Sequence, residues 1–438
     1  MKQTLFTIPE FVAGMPVFGL GLLLAAWVAF SIGLFVWLLK RHGMGDEVRG
    51  YLPLLVLVGL GIVFLLPRLL VAGGLPIRGY GVMMMLGIVS GVGITVRRAP
   101  RMGIDPDKVF SLTFWMFAGG IFGARMFHVV QKTFIEKTDQ YQTIGDVLSI
   151  HEGGLVVLGA LIAVAIIVPF FAWRNKLPLL ALADLLSPGM VLGLAFGRVG
   201  CLLTGCCFGG TCDVDVTWAV TFPQESAPGN LSPPYRRQVE GGLSYGIQVG
   251  PSETGTPVIT RVIPGSTAEQ LGLKPGDRIT RIGGTDDPTL EVVRDTILTA
   301  LYSIETNADA APKTISIVVA GDPAVRRLTH RYPPRSLPVH PTQIYSAINA
   351  ALLCCLLLAF YPHRRHDGEV FALLITVYPI ARFLLEYVRT DEYGQFGTSL
   401  TISQLISLAM FSAAIALWVY LRRSPSGHLW VDRAPAIG

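Results

Sequence analysis

The sequence predicts an all-α polytopic integral membrane protein of about nine transmembrane helices, with a small inserted extracytoplasmic domain of α+β, β-rich type. Of the 438 residues, 51% are hydrophobic and 15% are charged, whereas roughly 25% are charged in an average soluble domain. The mean hydropathy is +0.53. The apolar residues also collect in runs of about 20 residues, the length of a helix that crosses ~30 Å of hydrocarbon.

Nine apolar runs supply the predicted helices. A buried helix of a soluble protein rarely stays apolar on every face over such a length, so we expect each run to span the bilayer. The runs cover residues 16–39, 52–72, 80–96, 109–130, 155–173, 178–196, 343–361, 369–388 and 400–421.

Lysine and arginine residues in the short loops predict the orientation. If the N-terminus lies outside, the inner loops hold thirteen of these residues and the short outer segments hold five, as the positive-inside rule requires. The C-terminus is then cytoplasmic and the long segment 201–341 is extracytoplasmic. The net charge of +5 mostly reflects this bias and does not indicate a nucleic-acid partner.

The predicted units follow from this topology. They are helices 1–6 in 1–200, an extracytoplasmic Cys-rich head segment at 201–235, the inserted domain at 236–322, an extracytoplasmic return segment at 323–341, helices 7–9 in 342–423, and a cytoplasmic tail at 424–438.

The inserted domain is predicted from short alternating apolar runs separated by Gly and Pro. Strands are expected at 244–249, 257–263 and 314–319, a capped helical turn at 266–271 and a helix at 289–301.

The stretch from Val258 to Gly284 resembles the PDZ family. In that family a loop at the place of Tyr245, Gly246 and Ile247 receives a peptide carboxylate on its backbone N–H groups, and the peptide adds as a strand. These three are the predicted peptide-binding residues, for a peptide or protein ligand. The alternative is a structural module that binds nothing.

Two arginine motifs lie at the predicted outer ends of apolar helices. Arg198 stands in the G-R-V-G segment that ends at Gly200, and Arg382 shares one helix face with Glu386 and Arg389 at spacings of four and seven residues. A guanidinium at this depth needs a polar cavity or an anion, and its planar donor fork suits phosphate. The alternatives are an arginine that reaches to the interface and a structural ion-pair network.

Further polar groups fall on the same predicted side. His340, Gln343 and Tyr345 form an H-P-T-Q-x-Y segment that enters the seventh helix. Outer helix ends also carry Tyr80, Arg125 and the segment His151–Leu155. Such a convergence of arginine, tyrosine and histidine is what an anionic lipid headgroup requires.

The extracytoplasmic cysteines are candidates for disulfide bonds, which persist outside the cytoplasm. Free thiols packed as small apolar groups are the second interpretation. A zinc site is the third, because vicinal cysteines depart from the usual C-x₂₋₄-C spacing. The four residues are Cys201, Cys206, Cys207 and Cys212, while Cys354 and Cys355 lie within a predicted span.

In this order, the motifs R-x-Y-G, G-A-R, G-G-L, G-R-x-G, H-P-T-Q-x-Y and R-x-x-x-E-x-x-R resemble the prolipoprotein diacylglyceryl transferase family. The resemblance covers most of the chain outside the first two apolar runs and the PDZ-like insertion. It implies transfer of a diacylglyceryl group from phosphatidylglycerol to the lipobox cysteine of prolipoprotein signal peptides. The expected location is the outer leaflet of the bacterial inner membrane, and no metal or diffusible cofactor is implied.

The resemblance also implies roles for individual residues. A phosphate leaving group must be stabilised and a thiolate must attack. The catalytic residues are then Arg198, Arg382, Glu386 and His340, and the substrate-binding residues are Tyr80, Arg125, Gly200, Gln343, Tyr345 and Arg389.

Three positions depart from the family pattern. Leu158 stands where many members have a histidine, Cys206 replaces an acidic residue, and Ser346 replaces another. The identity of the base therefore stays open, with His340, His128 and His151 as substitutes.

Two rival functions belong to other classes. An intramembrane metalloprotease would combine several spans with a PDZ module, and His151-Glu152 begins an H-E-x-x-H motif, but position 155 is Leu. A non-enzymatic membrane scaffold that displays the PDZ-like domain explains the insertion and leaves the convergent arginines unexplained.

Overall fold

The computed structural model describes the chain except for residues 1–2, 43–54, 71–72, 136–140, 142, 149–153, 213–215, 228–229, 253–254, 306–313, 332, 390–397, 399, 426 and 428–438. The helices are α1 Leu22–His42, α2 Gly79–Arg98, α3 Pro106–Val130, α4 Ile144–Leu148, α5 Val157–Arg174, α6 Leu179–Thr204, α7 Pro233–Glu240, α8 Thr267–Gln270, α9 Leu290–Glu305, α10 Thr342–Phe360, α11 Glu369–Glu386 and α12 Ile402–Arg423. The strands are β1 Thr4–Pro9, β2 Phe11–Val12, β3 Met15–Pro16, β4 Gly74–Arg78, β5 Glu225–Ala227, β6 Asn230–Leu231, β7 Ile247–Pro251, β8 Pro257–Val262, β9 Ile279–Ile282, β10 Thr285–Asp286, β11 Thr314–Val319 and β12 Asp322–Thr329.

Six helices within the described residues are long and apolar enough to cross a membrane. They are α2, α3, α5, α6, α10 and α12, and each corresponds to one predicted run. The run 369–388 forms α11, which stands apart from these six because it carries three charged residues, Glu369, Arg382 and Glu386. The prediction of a helical membrane protein is thereby confirmed, with six candidate spans.

Glycine pairs let the membrane helices cross closely. Helix α2 packs along α6, where a Cβ at Gly91 would lie 2.7 Å from the carbonyl oxygen of Gly189 and one at Gly189 would lie 2.6 Å from that of Gly91. Helix α3 packs along α5 in the same way, because a Cβ at Gly159 would lie 2.3 Å from the oxygen of Gly123. Small residues thus set these contacts, as is usual between helices in lipid.

A buried carboxylate joins α6 to the start of α11. Asp184, which is fully buried, accepts hydrogen bonds from the backbone N–H groups of Gly368 and Phe371, both at 2.8 Å. It also forms an ion pair with the buried guanidinium of Arg364, whose Nε lies 3.4 Å from Oδ2 of Asp184. A carboxylate at a helix N-terminus satisfies donors that have no partner within the helix.

This contact also sets the relative height of two predicted site residues. Arg198 follows Asp184 by 14 residues on α6, and Arg382 follows Gly368 by 14 residues on α11. At 1.5 Å per residue, Arg198 and Arg382 each lie about 21 Å along their helix from the contact between Asp184 and Gly368. We call this far end, where α6 ends at Thr204, the site end of the bundle.

Residues 3–9 lie at the site end, a placement that no sequence motif predicted. Strand β1 pairs with β4 in an antiparallel manner. The Gln3 side chain donates to the carbonyl of Thr204 at 3.3 Å. A small β-ribbon therefore precedes α2 beside the end of α6.

The inserted domain contains a two-stranded sheet, β7–β8, and a four-stranded sheet in the order β10-β9-β11-β12. Its core includes Tyr235, Ile247, Ile259, Ile297 and Ile317. The strands predicted at 257–263 and 314–319 and the helix predicted at 289–301 agree with β8, β11 and α9. Ser266 caps α8 by accepting from the N–H of Glu269 at 3.3 Å, as the predicted capped turn requires.

Two boundary predictions were wrong. The strand expected at 244–249 begins only at Ile247, because Gly242 and Gly246 have positive φ angles and turn the chain through a 3₁₀ segment. The domain also continues past residue 322, since β12 pairs with β11 as far as Thr329. The return segment therefore begins after the last strand of the sheet.

We predict that Asp184→Ala lowers the free energy of unfolding by about 3–5 kcal/mol, because it leaves a buried guanidinium and two helix N–H groups without their acceptor. Thermal unfolding in detergent measures this. Asp107→Asn, an exposed position in the first turn of α3, is the matched control and should change stability by less than about 0.5 kcal/mol. Equal unfolding temperatures for the two variants would contradict the assigned role.

Candidate active site

The chain leaves α6 through a tight turn that α10 holds in place. Gly205 and Cys207 have positive φ angles of 78° and 56°. The Gln343 amide donates to the carbonyl of Cys206 at 2.7 Å, and the Thr342 hydroxyl donates to the carbonyl of Cys207 at 2.7 Å. The H-P-T-Q segment therefore positions this turn. Thr342, within that motif, was not singled out by the sequence analysis.

The backbone of His340 extends the same scaffold. Its N–H donates to the carbonyl of Gly210 at 3.0 Å, and its carbonyl accepts from Gly209 at 2.9 Å. The N–H of Gly210 donates in turn to the carbonyl of Val388, just beyond α11, at 2.9 Å. Backbone hydrogen bonds thus join the site ends of α6, α10 and α11.

The His340 ring lies at the end of a hydrogen-bonded chain. The Trp218 indole donates to the Tyr345 hydroxyl at 2.9 Å, and that hydroxyl lies 3.3 Å from Nδ1 of His340. This arrangement favours a positioning role for His340, and nothing in the sequence pattern pointed to Trp218.

Arg198 and Tyr80 meet at the end of α6. A Cβ at Gly200 would lie 2.9 Å from Cδ2 of Tyr80, so glycine is needed for the ring to pack there. Arg198 lies within electrostatic range of the Tyr80 hydroxyl. In the described part of the chain no hydrogen bond or ion pair engages the half-buried Arg198 guanidinium. Its donors are available to a ligand.

A second cation, Arg389, lies within electrostatic range of the same turn. The pKa of the Cys207 thiol is held below its usual range, first by hydrogen bonds from the thiols of Cys201 and Cys206 and then by the positive charges of Arg198 and Arg389. The predicted residues Tyr80, Arg198, Gly200, Gln343 and Arg389 therefore surround one turn at the site end.

Arg382 and Glu386 form a buried ion pair on α11. The second amino group of Arg382 donates to the Ser403 hydroxyl at 2.7 Å. Ser403 is fixed by a capping box in which Thr401 and Gln404 satisfy each other at the start of α12. Of the three residues predicted to share one helix face, Arg382 and Glu386 thus form an ion pair that α12 supports, and Arg389 lies just beyond the end of α11.

Two buried oxygen atoms near this pair and the turn lack donors. Within the described residues, Oε1 of Glu386 and Oε1 of Gln343 make no hydrogen bond. Both side chains are almost fully buried. Because an unsatisfied buried acceptor is costly, these atoms are suited to hydroxyl groups of a ligand.

Arg125 differs from its predicted role as a headgroup contact. It lies on α3 and donates to the backbone carbonyls of Val147 and Asp146, both at 2.8 Å, and of Gly154 at 3.3 Å. Its guanidinium is therefore engaged by the segment before α5. His128 lies beside the same segment, with its ring 6.2 Å from that of Tyr141.

Predictions were also made for three more residues near this segment, His151, Glu152 and Leu158. His151 and Glu152, the third substitute base and the start of the protease motif, lie outside the described residues. Leu158, at the family histidine position, lies on α5.

None of the six cysteines forms a disulfide bond in the structure, so the predicted disulfides are not formed. The sulfur atoms of Cys201, Cys206 and Cys207 lie within 4.8 Å of one another. Cys212 is buried, and its carbonyl accepts from the Arg261 guanidinium of the inserted domain at 3.2 Å.

The loop predicted to bind a peptide carboxylate uses its donors internally. The N–H groups of Tyr245 and Ile247 donate to the carbonyl of Gly242, and that of Gly246 donates to Leu243. The Tyr245 and Ile247 side chains are buried in the domain core. In this conformation the three N–H groups are not presented to a carboxylate, contrary to the expectation.

An apolar cavity of about 290 Å³ lies between α2, α3 and α6 below the site end. Its lining includes Met84, one turn from Tyr80, and Gly193, five residues before Arg198. The glycines at the α2–α6 crossing form its wall. An apolar cleft therefore ends within about two helical turns of Arg198 and Tyr80.

Comparisons with known proteins bear on this arrangement. The model of the family described as prolipoprotein diacylglyceryl transferase matches residues 67–420. A phosphatidylglycerol–prolipoprotein diacylglyceryl transferase of Rhodopirellula baltica is 32% identical over 95% of this chain and 88% of its own length. Proteins with the same description from Clostridium tetani (24% identical, 79% of this chain and 93% of theirs) and Corynebacterium efficiens (26%, 83% of both) are also similar. The chain therefore belongs to the prolipoprotein diacylglyceryl transferase family.

Proposed function

We propose that this chain transfers a diacylglyceryl group from phosphatidylglycerol to the lipobox cysteine of prolipoproteins at the site end of its bundle. The observation that carries the proposal is the Arg198 guanidinium, which is half-buried, unengaged by the described residues and within electrostatic range of Tyr80, with an apolar cleft that begins five residues back along α6. A cation at the junction of polar and apolar surfaces suits a phospholipid, whose phosphate and acyl chains must be held together.

The reaction is a displacement at a glycerol carbon. The cysteine thiol releases its proton to water, its sulfur forms a C–S bond as the C–O bond to phosphate breaks, and the electron pair of that bond leaves with glycerol 1-phosphate. Arg198 and Arg382, which lie at equal heights on α6 and α11, stabilise the negative charge that grows on the phosphate. Glu386 keeps Arg382 oriented through their ion pair.

We assign the lipid headgroup to the polar groups of the site and one acyl chain to the apolar cleft. The unpartnered oxygens of Glu386 and Gln343 accept from the hydroxyl groups of the glycerol headgroup. The cleft along α2 takes an acyl chain, because its lining is apolar and its wall is made of glycines. Tyr80 separates the two regions, while Tyr345 and His340 support the turn next to them.

The topology proposed with this function has nine spans. Helix α1, the apolar helical segment within residues 55–68 and α11 add to the six candidate spans. Loop charge favours an extracytoplasmic N-terminus and inserted domain and a cytoplasmic C-terminus, in the bacterial inner membrane. The site end then faces the outer leaflet, where secreted precursors arrive.

The inserted domain is proposed to be a PDZ-like module. Its support is the order of β8, the Ser266-capped turn and β9, together with the G-L-x-x-G-D-x-I turn at residues 272–279. Since the donors of the 245–247 loop are engaged, a peptide would require that loop to open. Recruitment of precursors is the role that we propose for it.

Arg198→Ala is expected to lower the transfer rate about 10²–10³-fold, because a preorganised donor to the phosphate is lost. Arg198→Lys should recover only part of it, since an ammonium group cannot bind two phosphate oxygens side by side. The assay follows labelled phosphatidylglycerol onto a lipobox peptide, with a Cys→Ser peptide as blank. Arg236→Ala, at an exposed position on α7, is the matched control. Full activity in Arg198→Ala would sink the proposal.

Glu386→Gln is expected to lower the rate with phosphatidylglycerol about 10–100-fold, because an ionised acceptor for a headgroup hydroxyl is removed. The rate ratio of phosphatidylglycerol to phosphatidylethanolamine should fall as well. Glu369→Gln removes a buried carboxylate from the other end of the same helix and should leave that ratio unchanged. An unchanged ratio in Glu386→Gln would show that this carboxylate does not read the headgroup.

The inserted domain can be removed at a natural closure point. The N–H of Arg331 donates to the carbonyl of Ser244 at 2.7 Å, so residues 245–330 can be replaced by a short Gly linker. Transfer to a short lipobox peptide should change less than about twofold, because the arginines stay in place. Transfer to full-length precursors should slow markedly. Equal rates for every precursor with and without the domain would rule out recruitment.

A further inference from the structure

Three thiols converge at the end of α6, beside the proposed phosphate site. The sulfur atoms of Cys201, Cys206 and Cys207 lie within 4.8 Å of one another, and all three residues are half-buried. Thiols that served only as apolar filling would be expected in the fully buried core. Three such groups within one small volume form a ligand set.

The backbone explains how two vicinal cysteines can share one centre. Adjacent side chains in an extended chain point in opposite directions. Here Cys207 adopts a left-handed conformation with φ of 56°, directly after the Gly205–Cys206 turn. The donors from Thr342 and Gln343 hold the carbonyls of Cys206 and Cys207 on the other side of this turn. The unusual spacing is therefore compatible with a joint site.

The surrounding charge suits an anionic complex. The positive charges of Arg198 and Arg389 both act on Cys207. Three thiolates around a divalent cation carry a net charge of −1, and nearby guanidinium groups offset it. The complex is open to a further ligand, because all three cysteines are only partly buried.

We propose that Cys201, Cys206 and Cys207 bind one Zn²⁺ ion, whose fourth position takes the sulfur of the lipobox cysteine. Zn²⁺ binds thiolates at about 2.3 Å in a tetrahedron, which places the sulfurs roughly 3.8 Å apart, and three protein ligands with one open position are typical of catalytic zinc. The present separations need only a small contraction to reach this geometry. The inference rests on the proposed function, since it assigns how the nucleophile of that reaction is made.

The proposed reaction requires no side-chain base. The incoming thiol binds the zinc and releases its proton to water, because a coordinated thiol is deprotonated. Its sulfur electron pair then forms the C–S bond as the C–O bond to phosphate breaks, and the pair from that bond leaves on glycerol 1-phosphate. The thioether product dissociates from the metal, which is neither oxidised nor reduced. This step accounts for Leu158 at the position where the family pattern has a histidine.

The test uses the full-length purified protein and Zn²⁺ alone. The protein is stripped with a chelator, reloaded, and assayed for zinc per chain by elemental analysis and for thiolate-to-metal charge transfer after substitution with Co²⁺. The triple variant Cys201→Ser, Cys206→Ser, Cys207→Ser is compared with the triple variant Cys212→Ser, Cys354→Ser, Cys355→Ser, which removes the same number of thiols. Unfolding temperatures establish that both are folded.

The expected result is about one zinc per chain in the parent and in the control variant, with none in the triad variant. Stripping should lower the transfer rate at least about tenfold, and zinc should restore it. Zinc that binds but leaves the rate unchanged on removal would overturn the catalytic step. Full transfer by a chain that binds no zinc would overturn the whole inference while the proposed function stands. A zinc-loaded chain that transfers nothing would instead overturn the proposed function, since the metal count is read independently.

Discussion

The contact between the Asp184 carboxylate and the N-terminus of α11 fixes the register of the two helices that carry the proposed phosphate-binding arginines. Asp184 accepts from two N–H groups at 2.8 Å and is paired with a buried guanidinium. In a low-dielectric interior such a contact is costly to break and tolerates little displacement. Because Arg198 and Arg382 each lie 14 residues beyond it, a shift at one end of the bundle would misalign the phosphate donors at the other.

At the site end, hydrogen bonds hold the helix ends and the turn after α6 in position. The H-P-T-Q segment binds the turn after α6 through two side chains, and the backbone of His340 binds the head segment. Three residues of the motif therefore have distinct physical roles. His340 and Thr342 build the scaffold, and Gln343 both holds the turn and offers a free oxygen. The helices, the turn and the motif act as one preorganised unit.

The inserted domain is attached to this unit without entering it. Arg261 reaches the head segment at the carbonyl of Cys212, and Gln238 on α7 exchanges hydrogen bonds with Leu337 of the return segment. The domain has its own core. Leu231 of the head segment and Leu337 of the return segment also pack against that core, so polar and apolar contacts together hold the domain beside the membrane site.

Because apolar runs of fixed length and motif spacing are local properties, the helical membrane class, the family and most residues of the candidate site could be predicted from the sequence. It also located Arg198, Gly200, Gln343 and the Arg382–Glu386 pair. Three outcomes required the folded chain: Arg125 donates to loop carbonyls, the sulfurs of Cys201, Cys206 and Cys207 converge without a disulfide bond, and the 245–247 donors are engaged. These outcomes depend on distances between segments far apart in the chain and on single φ angles, which spacing along a sequence does not encode.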